Sequence, residues 1–533
     1  MTSVSRAMLV AQPDLGAGNV LSTLLELGAD PSGPGLSFDT EVDGIPAEQP
    51  LTLGQLEQRV AARAAWLHGH GIGPRDPVAI WSGSAADQVL GYLALTRLGA
   101  IPALINGNLA PDIAAIYVNR LRAVGVLADA DRYAGLAGRD LGAAELIEIS
   151  QLSSGDPADA PRPYRHHADD PVVITHTSGT TGVPKAVLHT HSTIFAATRH
   201  LLSLPQAQGV HRILNALPAA HTATVLMVNQ ALGNRAEFLA LSSQDGPSVL
   251  AAIERWRPAS VFGFSVTWAQ LARIDLSRHD LSSVRLWFNT GDSSHEPHIR
   301  HLVAVGSREQ ITRAGRVIRP GSHFIDGLGS SEMGHSMFHI THTPQTNSYD
   351  RCIGKPYKFV EAAVLDLDGR PVPDGQVGHL GIKSPSLSPG YWNDSVTTFR
   401  FRRSGYYLTG DLVRREPDGR FFHVDRAADS VIGPDGTWYF TALSEERIQA
   451  ACPEVEDSTV VISRDGDEVV TEVFLELAAG SSAVADLADR VRAAVGPELA
   501  ATIRHISATD AAELPRGATG KVRKVALREQ VFA

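Results

Sequence analysis

Residues 172–185 combine the residue types that a polyphosphate-binding loop needs. A β-branched run from Val172 to Thr175 leads into small hydroxyl residues and glycines, and Lys185 closes the stretch with a positive charge. Gly179 and Gly182 permit backbone angles at which successive N–H groups converge on an anion. Further donors come from the hydroxyl residues Ser178, Thr180 and Thr181. This composition predicts a binding site for a phosphate chain.

The spacing of this loop differs from that of the usual nucleotide P-loop. The pattern G-x-x-x-x-G-K-[ST] fails, because Pro184 precedes the lysine and Ala186 follows it. A loop of glycine and threonine taken alone can also be a plain surface turn. The complete string from Thr177 to Lys185 favours phosphate binding over that alternative.

The string TSGTTGVPK at 177–185 resembles the signature of the adenylate-forming superfamily, which includes acyl-CoA synthetases, peptide-synthetase adenylation domains and beetle luciferases. Four later strings resemble further motifs of that superfamily in the same order: 326–332 (DGLGSSE), 390–391 (GY), 407–412 (YLTGDL) and 514–521 (LPRGATGK). Leu328 stands where the family has tyrosine, and Ser331 where it has threonine. The resemblance covers nearly the whole chain and implies an enzyme that activates a carboxylic acid with ATP and Mg²⁺.

The implied reaction begins when a carboxylate attacks the α-phosphate of ATP, expels pyrophosphate and leaves a bound acyl-adenylate. Charge developing on the phosphate oxygens needs cations and hydrogen-bond donors placed in advance. By resemblance, Lys521 is the mobile catalytic lysine and Ser331 donates to the α-phosphate. Glu332 would hold Mg²⁺ through oxygen, the ligand type that this ion prefers. A helix-start glutamate and an ordinary tail lysine are the alternative interpretations of Glu332 and Lys521.

The resemblance also assigns the nucleotide site. Asp411 would accept both ribose hydroxyls, as acidic residues do in dinucleotide sites, and Arg426 would reach the ribose as well. The segment after the apolar run 286–288 resembles the adenine-binding loop, and Asp326 is expected near the adenine amine. The expected ATP and AMP contacts are Thr177, Ser178, Gly179, Thr180, Thr181, Gly182, Lys185, Gly291, Asp292, Ser293, Asp326, Gly327, Leu328, Gly329, Ser330, Asp411 and Arg426.

The acyl pocket implied by the resemblance lies around the segments 261–268 and 328–334. Its expected lining residues are His221, Phe264, Trp268, Gly329 and Gly334. Aromatic residues at helical spacing are equally typical of a plain core. His335 and His339 follow Glu332 and can recognise a polar acid, but their spacing is not that of a metal site.

The elements that must position these residues follow from hydrophobic periodicity. Apolar residues at three-to-four spacing predict a helix over 51–71, and 77–81 is a compact apolar strand followed by a helix over 88–98. From 353 to 412, short runs such as 362–367 and 378–383 alternate with Gly/Pro/Asp turns, which favours an antiparallel, barrel-like region. Beyond it, 459–462 and 469–477 are strand-like and 483–495 is helical.

The predicted fold class is therefore α/β. A large N-terminal domain at 1–425 would contain α/β subdomains and a β-barrel-like subdomain. A hinge at 426–428 would join it to a small mobile α+β domain at 429–533, which carries Lys521.

Composition excludes several classes of function. The net charge is −11 with no basic block, which argues against nucleic-acid and anionic-membrane surfaces. No apolar run approaches the length of a membrane span, and the apolar stretch 7–11 is too short for a secretory signal. Two cysteines 100 positions apart form no disulfide framework, so a reduced cytoplasm is expected.

The acceptor of the activated acid is open at this stage. In the family, the C-terminal domain rotates to admit a thiol, usually CoA or a carrier pantetheine. Here the pivot aligns with Ala428, a nearby lysine position with Ile432, and Pro434 stiffens the following loop. Residues 429–533 hold 18 acidic and 10 basic residues, an unfavourable charge for phosphate-bearing CoA. The interpretations are an acid:CoA ligase, an adenylating enzyme that passes the acyl group to a carrier or partner protein, and a non-catalytic nucleotide-binding module.

Overall fold

The computed structural model describes residues 4–177, 183–205, 212–291, 294–313, 315–347, 349–478, 486–510, 513–517 and 522–532. Within these ranges, no helix is long and apolar enough to cross a bilayer. The chain forms a mixed α/β structure, as its sequence predicts, and four units follow one another along it.

The first unit is a sheet of mostly parallel strands flanked by helices, with a hairpin of β6 and β7 toward one edge. Short 3₁₀ helices lie at Ile149–Ser154 and Pro157–Asp159. The elements up to residue 190 are α1 (Arg6–Val10), α2 (Val20–Glu26), β1 (Ser37–Phe38), α3 (Leu53–Gly69), β2 (Pro77–Trp81), α4 (Ala85–Leu98), β3 (Ile101–Ile105), α5 (Pro111–Leu121), β4 (Gly125–Ala128), α6 (Ala130–Leu136), β5 (Glu145–Glu148), β6 (Pro171–His176) and β7 (Ala186–Thr190).

Helix α3 shows how the local sequence sets these elements. Thr52 and Gln55 form a reciprocal capping box that satisfies backbone donors at the helix start. The apolar face is buried, as its periodicity predicts, and includes Leu56, Val60 and Leu67. The helix predicted over 51–71 and the strand predicted over 77–81 are thereby confirmed.

The second unit stacks parallel strands in the order β9, β8, β10, β11, β14 and covers them with helices. A short 3₁₀ helix lies at Leu276–Arg278. The other elements of the second unit are α7 (Ala196–Ser203), β8 (Arg212–Asn215), α8 (Thr222–Asn234), β9 (Glu237–Ala240), α9 (Gly246–Trp256), β10 (Ser260–Phe264), α10 (Ser265–Ala272), β11 (Leu286–Thr290), α11 (Glu296–Ala304), β12 (Ser307–Thr312), β13 (Gly315–Pro320) and β14 (His323–Gly329).

The third unit continues this sheet with antiparallel strands from β14 through β15, β16, β22, β21 and β18 to β17. The short strand β19 instead pairs with β7 and joins the barrel-like part to the first sheet. The elements are β15 (Ser336–His342), β16 (Cys352–Pro356), β17 (Glu361–Leu365), β18 (Val377–Lys383), β19 (Gly390–Tyr391), α12 (Ser395–Arg400), β20 (Arg402–Arg403), β21 (Tyr406–Arg415) and β22 (Phe421–Arg426). The strands predicted near 362–367 and 378–383 are thus present.

The fourth unit packs helices on a three-stranded sheet with its own apolar core. The hinge predicted at 426–428 begins at Arg426, the last residue of β22, and its role as a hinge stays a prediction. The elements are β23 (Val431–Ile432), β24 (Trp438–Tyr439), α13 (Ala442–Ala451), β25 (Val455–Asp465), β26 (Glu468–Leu477), α14 (Leu487–Val495), α15 (Pro497–Ala500), β27 (Ile503–Ala508) and α16 (Lys524–Val531).

Candidate active site

The predicted site residues gather where the parallel strands of the second unit end. His221, Phe264 and Gly291 follow or close β8, β10 and β11, and Ser331 follows β14. Because parallel strands present their carboxyl ends at one edge, these residues share one crevice of the sheet. The topology therefore explains why residues far apart in sequence can serve one site.

The base of the predicted phosphate loop is fixed by the β6–β7 hairpin. His176 is paired with Ala186, the Thr177 N–H donates to the Lys185 carbonyl at 3.1 Å, and the Lys185 N–H donates to Thr177 Oγ1 at 3.3 Å. Lys185 Nζ lies 5.6 Å from the ring centroid of Tyr391. The loop residues Ser178, Gly179, Thr180, Thr181 and Gly182 lie outside the described residues.

Ser331 and Glu332 connect this loop to the rest of the site. Ser331 is buried, and its Oγ donates to the His176 carbonyl at 3.2 Å, directly before the phosphate loop. The Tyr391 hydroxyl donates to Glu332 Oε1 at 2.8 Å. Burial and the neighbouring Glu332 charge raise the pKa of Tyr391, so it stays a protonated donor. Three of the sequence motifs therefore meet within hydrogen-bonding distance.

The Glu332 carboxylate suits a magnesium ion that also binds nucleotide phosphates. Oε1 carries the Tyr391 hydrogen bond, while Oε2 has no hydrogen-bond partner among the described residues. Among those residues, no group of three or more His, Cys, Asp or Glu side chains can hold a metal by itself. Mg²⁺ commonly takes one or two carboxylates and completes its shell with water and substrate phosphates. The donor set therefore fits that mode of binding.

Asp411 forms the most strongly charged part of the site. It is 2% exposed, pairs with Arg426 across β21 and β22, and accepts from Arg426 Nη1 at 2.9 Å and His423 Nε2 at 3.3 Å. Burial alone would raise the pKa of Asp411, but Arg426 and His423 outweigh it and hold that pKa well below its ordinary value. The carboxylate is therefore ionised and ready to accept hydrogen bonds. His423 lies outside every recognised motif, and β22 is buried continuously from Phe421 to Asp425, so no alternation in the sequence indicated it.

Asp326 is held in place by a chain of buried polar groups. Asn289 Nδ2 donates to Asp326 Oδ1 at 2.7 Å, and Trp268 Nε1 donates to Asn289 Oδ1 at 2.9 Å. Gly291 has φ +83, and a Cβ there would lie 2.8 Å from Phe264, so this turn needs glycine. Sequence reasoning missed Asn289. Asp292 and Ser293 lie outside the described residues.

The expected acyl pocket is only partly reproduced by the structure. His221 caps α8 and its ring meets Phe264 edge-to-face at 5.0 Å. Trp268 is fully buried against Trp287 and Phe324, so it lies beneath the site and reaches it only through Asn289. The lining position expected for Trp268 is corrected accordingly, because its indole offers no surface to a ligand.

The remaining glycines of the pocket make room for close backbone contacts. Gly329 pairs with Ser336, and a Cβ at Gly329 would lie 2.9 Å from the Ser336 Cα. Gly334 has φ +67, and a Cβ there would lie 2.3 Å from the Ser386 carbonyl oxygen. The chain therefore turns sharply between β14 and β15, beside Glu332. Gly327, Leu328 and Ser330 belong to this same segment.

A ring cluster that sequence reasoning did not assemble adjoins this turn, and we define it as His200, His335, His339, Tyr357 and Phe359. His339 stacks on Tyr357 at 4.5 Å, and Tyr357 stacks on Phe359 at 5.4 Å. His335 meets Tyr357 edge-to-face at 5.5 Å, and His200 meets Phe359 at 5.3 Å. All five side chains are half-buried.

Lys521 lies outside the described residues, but contacts of its unit with the N-terminal part are described. Thr441 Oγ1 donates to Asp425 at 3.1 Å across the predicted hinge. Lys524 Nζ donates to Thr441 Oγ1 at 2.8 Å and pairs with Glu445 at 2.7 Å. The Thr441–Asp425 hydrogen bond crosses the predicted hinge, whereas the two Lys524 contacts lie within the C-terminal unit.

The chain is similar to known proteins over nearly its whole length. The family model described as "AMP-binding enzyme" matches residues 39–392. A 3-aminoavenalumate diazotase from Streptomyces sp is 44% identical over 552 residues, with 99% of this chain and 98% of that protein covered. A 3-hydroxybenzoate–CoA ligase from Aromatoleum sp. is 24% identical, covering 95% of this chain and 96% of that protein. A 3-amino-2-hydroxy-4-methoxybenzoate diazotase from Streptomyces cremeus is 26% identical, covering 89% and 88%.

Solved structures share the fold of this chain over almost its full length. An anthranilate CoA ligase in complex with anthranoyl-AMP has a TM-score of 0.81 at 19% identity, with 97% of both chains covered. An o-succinylbenzoate CoA synthetase from Bacillus subtilis, in complex with ATP and magnesium, has a TM-score of 0.79 at 20% identity, covering 97% and 99%. At these identities the likeness shows the fold alone.

Proposed function

Because the chain belongs to the AMP-binding enzyme family, we propose that it is an ATP-dependent diazotase that converts the ring amine of an aromatic acid into a diazonium group. The observation that carries this proposal is the 44% identity to 3-aminoavenalumate diazotase across 99% of the chain. A second diazotase, which acts on an aminobenzoate, matches 89% of the chain. Adenylation is common to this family. In the proposed reaction nitrite is the group that is adenylated, and the ring amine accepts the activated nitrogen.

Diazotisation requires a second nitrogen at the oxidation level of nitrite. Nitrite resembles a carboxylate, since it is a bent monoanion with two equivalent oxygens. One of these oxygens can attack the α-phosphate of ATP and expel pyrophosphate, leaving a nitrosyl group on AMP. The ring amine then attacks the nitrosyl nitrogen, AMP leaves, and loss of water gives the diazonium ion. The nitrite-derived nitrogen is reduced as the amine nitrogen is oxidised, so the two meet at an intermediate level in the diazonium ion and no external oxidant or reductant is needed.

The candidate site residues would have the same roles in the reaction of nitrite as in the reaction of a carboxylate. Glu332 and Ser331 would act at the phosphates, Asp411 and Arg426 at the ribose, and Lys521 at the attacked α-phosphate. Fixed donors and cations at that phosphate supply the main stabilisation in phosphoryl chemistry. Because the acceptor is an amine of the small substrate, the reaction does not require CoA.

Two features of the C-terminal unit favour an acceptor other than CoA. The segment 429–533 carries more acidic than basic residues, which disfavours a ligand with several phosphates. Thr441 and Asp425 are hydrogen-bonded across the predicted hinge, and domain rotation would have to break that contact. Both features fit an enzyme that completes its reaction without admitting a thiol.

An aryl acid:CoA ligase is the second candidate function. The observation that favours it is the match to 3-hydroxybenzoate–CoA ligase over 95% of the chain. Transfer of an acyl-adenylate to a carrier or partner protein is a variant of it. A nucleotide-binding module without turnover is the candidate from outside enzymology, and Lys521 and Glu332 argue against it.

A single set of reactions separates these functions. The enzyme is incubated with ATP, Mg²⁺ and 3-aminobenzoate or 3-aminocinnamate, with and without nitrite and CoA, and each amine is matched by its deamino acid. Pyrophosphate release is measured, and diazonium ion is trapped as an azo dye after addition of an electron-rich phenol.

If the protein is a diazotase, pyrophosphate release should require nitrite. The azo dye should appear only when ATP and an amino-substituted aromatic acid, 3-aminobenzoate or 3-aminocinnamate, are both present. With ¹⁵N-nitrite, one azo nitrogen should carry the label. Nitrite-independent release coupled to CoA thioester formation would establish the ligase instead. Absence of all ATP turnover across the panel would leave the nucleotide-binding module.

A further inference from the structure

The ring cluster next to Glu332 contains an imidazole that is oriented to accept a proton. His335 Nδ1 lies 2.6 Å from the Ser336 carbonyl oxygen. A carbonyl oxygen only accepts hydrogen bonds, so Nδ1 carries the proton and Nε2 keeps its lone pair. Among the described residues, Nε2 has no hydrogen-bond partner. The His335 residue as a whole is half-buried.

The surroundings of His335 keep this imidazole neutral. Burial lowers the pKa of His335, and the neighbouring imidazoles of His339 and His200 lower it further, against the opposing Ser336 hydrogen bond. Burial also lowers the pKa of His339, whose Nδ1 is buried without a hydrogen-bond partner. An aromatic-lined cluster suits a flat aromatic ligand, and the neutral imidazole of His335 leaves a lone pair free to accept a proton.

The position of His335 relative to the predicted phosphate site follows from the β14–β15 turn. Glu332 and His335 lie three residues apart, on either side of the Gly334 turn that is packed against Ser386. Gly329 faces Ser336 across the two strands, and a Cβ at Gly327 or Gly329 would collide with Ser336, so both glycines let β15 and His335 pack close to β14. A substrate held between the adenylate and the ring cluster would therefore lie beside His335.

We propose that His335 is the catalytic base that accepts the proton released by the ring amine when it attacks the nitrosyl-adenylate, and that Tyr357 positions it. This inference rests on the proposed diazotase function. In the step, the amine nitrogen forms the N–N bond, the N–O bond to phosphate breaks, and AMP leaves with the electron pair. The N–H proton passes to His335 Nε2. Tautomerisation of the N-nitroso product and loss of hydroxide, protonated to water by the imidazolium, complete the diazonium ion.

A weak base is sufficient for this step, because an amine nitrogen that has just bonded to a nitrosyl group is strongly acidic. Tyr357 is fixed by stacking on His339 and Phe359, and its edge meets His335. Tyr357 therefore acts by holding the imidazole ring of His335 in place, and the phenyl ring of a phenylalanine at this position would hold it equally well.

The test separates adenylation from amine attack in His335→Gln and its matched control His323→Gln, at a half-buried histidine that begins β14, at the opposite end of that strand from the site. The first step is followed as nitrite-dependent exchange of labelled pyrophosphate into ATP without amine, and the second as azo-trapped diazonium with 3-aminobenzoate or 3-aminocinnamate. For His335→Gln we expect exchange within about twofold of wild type and diazonium formation reduced about a hundredfold or more, the usual range for loss of a general base. His323→Gln makes the same substitution outside the ring cluster and should keep diazonium formation within about threefold.

Further variants keep the inference falsifiable. In His335→Ala, added imidazole should restore part of the diazonium formation, and Tyr357→Phe should remain active while Tyr357→Ala does not. Near-normal diazonium formation in His335→Gln would overturn the inference, and so would a parallel loss of nitrite-dependent exchange, which would place His335 in adenylation or folding. If wild type shows no nitrite-dependent exchange, the diazotase proposal itself fails, and that result is distinguishable from both.

Discussion

Asp411→Asn tests the charged part of the nucleotide site most sharply, because the substitution changes charge at nearly constant shape. The carboxylate is 2% exposed and accepts from Arg426 and His423, yet it still has lone pairs for the ribose hydroxyls. Hydrogen bonds to charged groups are worth about 1.5–3 kcal/mol each. Asparagine retains one acceptor oxygen, so about one such bond is lost. That corresponds to roughly 10- to 150-fold weaker ATP binding, since 1.4 kcal/mol is tenfold.

Loss of the same charge should also lower stability. Breaking a fully buried ion pair costs about 3–5 kcal/mol. The Arg426 side chain is 52% exposed, so water compensates part of the loss and about 1–3 kcal/mol remains. The depressed pKa of Asp411 fixes the sign of the pH dependence. The stabilisation is present at neutral pH and declines as the pH falls below the ordinary aspartate value of about 4, where the unfolded carboxyl takes up a proton.

The assay combines calorimetric titration with ATP and 2′-deoxy-ATP with urea unfolding at neutral and acidic pH. Wild type should lose affinity when the 2′-hydroxyl is removed, while Asp411→Asn should discriminate far less. The matched control is Asp418→Asn, which removes an exposed carboxylate that pairs with Arg420 at 2.6 Å near the turn of the same hairpin, and it should change neither property measurably. If Asp411→Asn binds ATP normally and still discriminates against 2′-deoxy-ATP, the assigned ribose contact is wrong.

Three further predictions concern the phosphate end and the hinge. Tyr391→Phe removes the 2.8 Å hydrogen bond to Glu332, which should raise the Mg²⁺ concentration needed for half-maximal pyrophosphate exchange several-fold; an unchanged Mg²⁺ dependence would contradict this role. Lys521→Ala should reduce adenylate formation by orders of magnitude in the exchange assay while ATP binding persists, and near-normal exchange would remove the catalytic assignment. Asp425→Gly deletes the contact with Thr441 and should speed tryptic cleavage within 426–441; unchanged proteolysis would show that this contact does not restrain the hinge.

The fold could be predicted well wherever periodicity was strong. Helix α3 and strand β2 appear where the apolar spacing placed them, because each buries one continuous apolar face. Motif order indicated Ser331, Glu332 and the segment 390–391, but it did not predict that Ser331 donates to the His176 carbonyl or that Tyr391 donates to Glu332. Motifs identify residues that the chemistry requires.

The remaining contacts depend on tertiary packing that no local pattern encodes. Trp268 is a residue of the type expected in an apolar pocket. Its indole is nevertheless buried and donates a hydrogen bond to Asn289. His423 reaches Asp411 because β21 and β22 pair side by side, with a register shift between Leu412 and Val413. The ring cluster collects side chains from α7, from the turn before β15, from β15 itself and from the segment after β16, so it exists only in the folded chain.

The most direct test of the account is the fate of oxygen from labelled nitrite. If nitrite attacks the α-phosphate and the amine later displaces AMP from nitrogen, one nitrite oxygen remains on the AMP phosphate. With ¹⁸O-nitrite, ATP and 3-aminobenzoate or 3-aminocinnamate, the account predicts AMP that is two mass units heavier, formed in proportion to the diazonium ion. Unlabelled AMP formed together with diazonium ion, or labelled AMP that requires an ¹⁸O-carboxylate instead of ¹⁸O-nitrite, would contradict it.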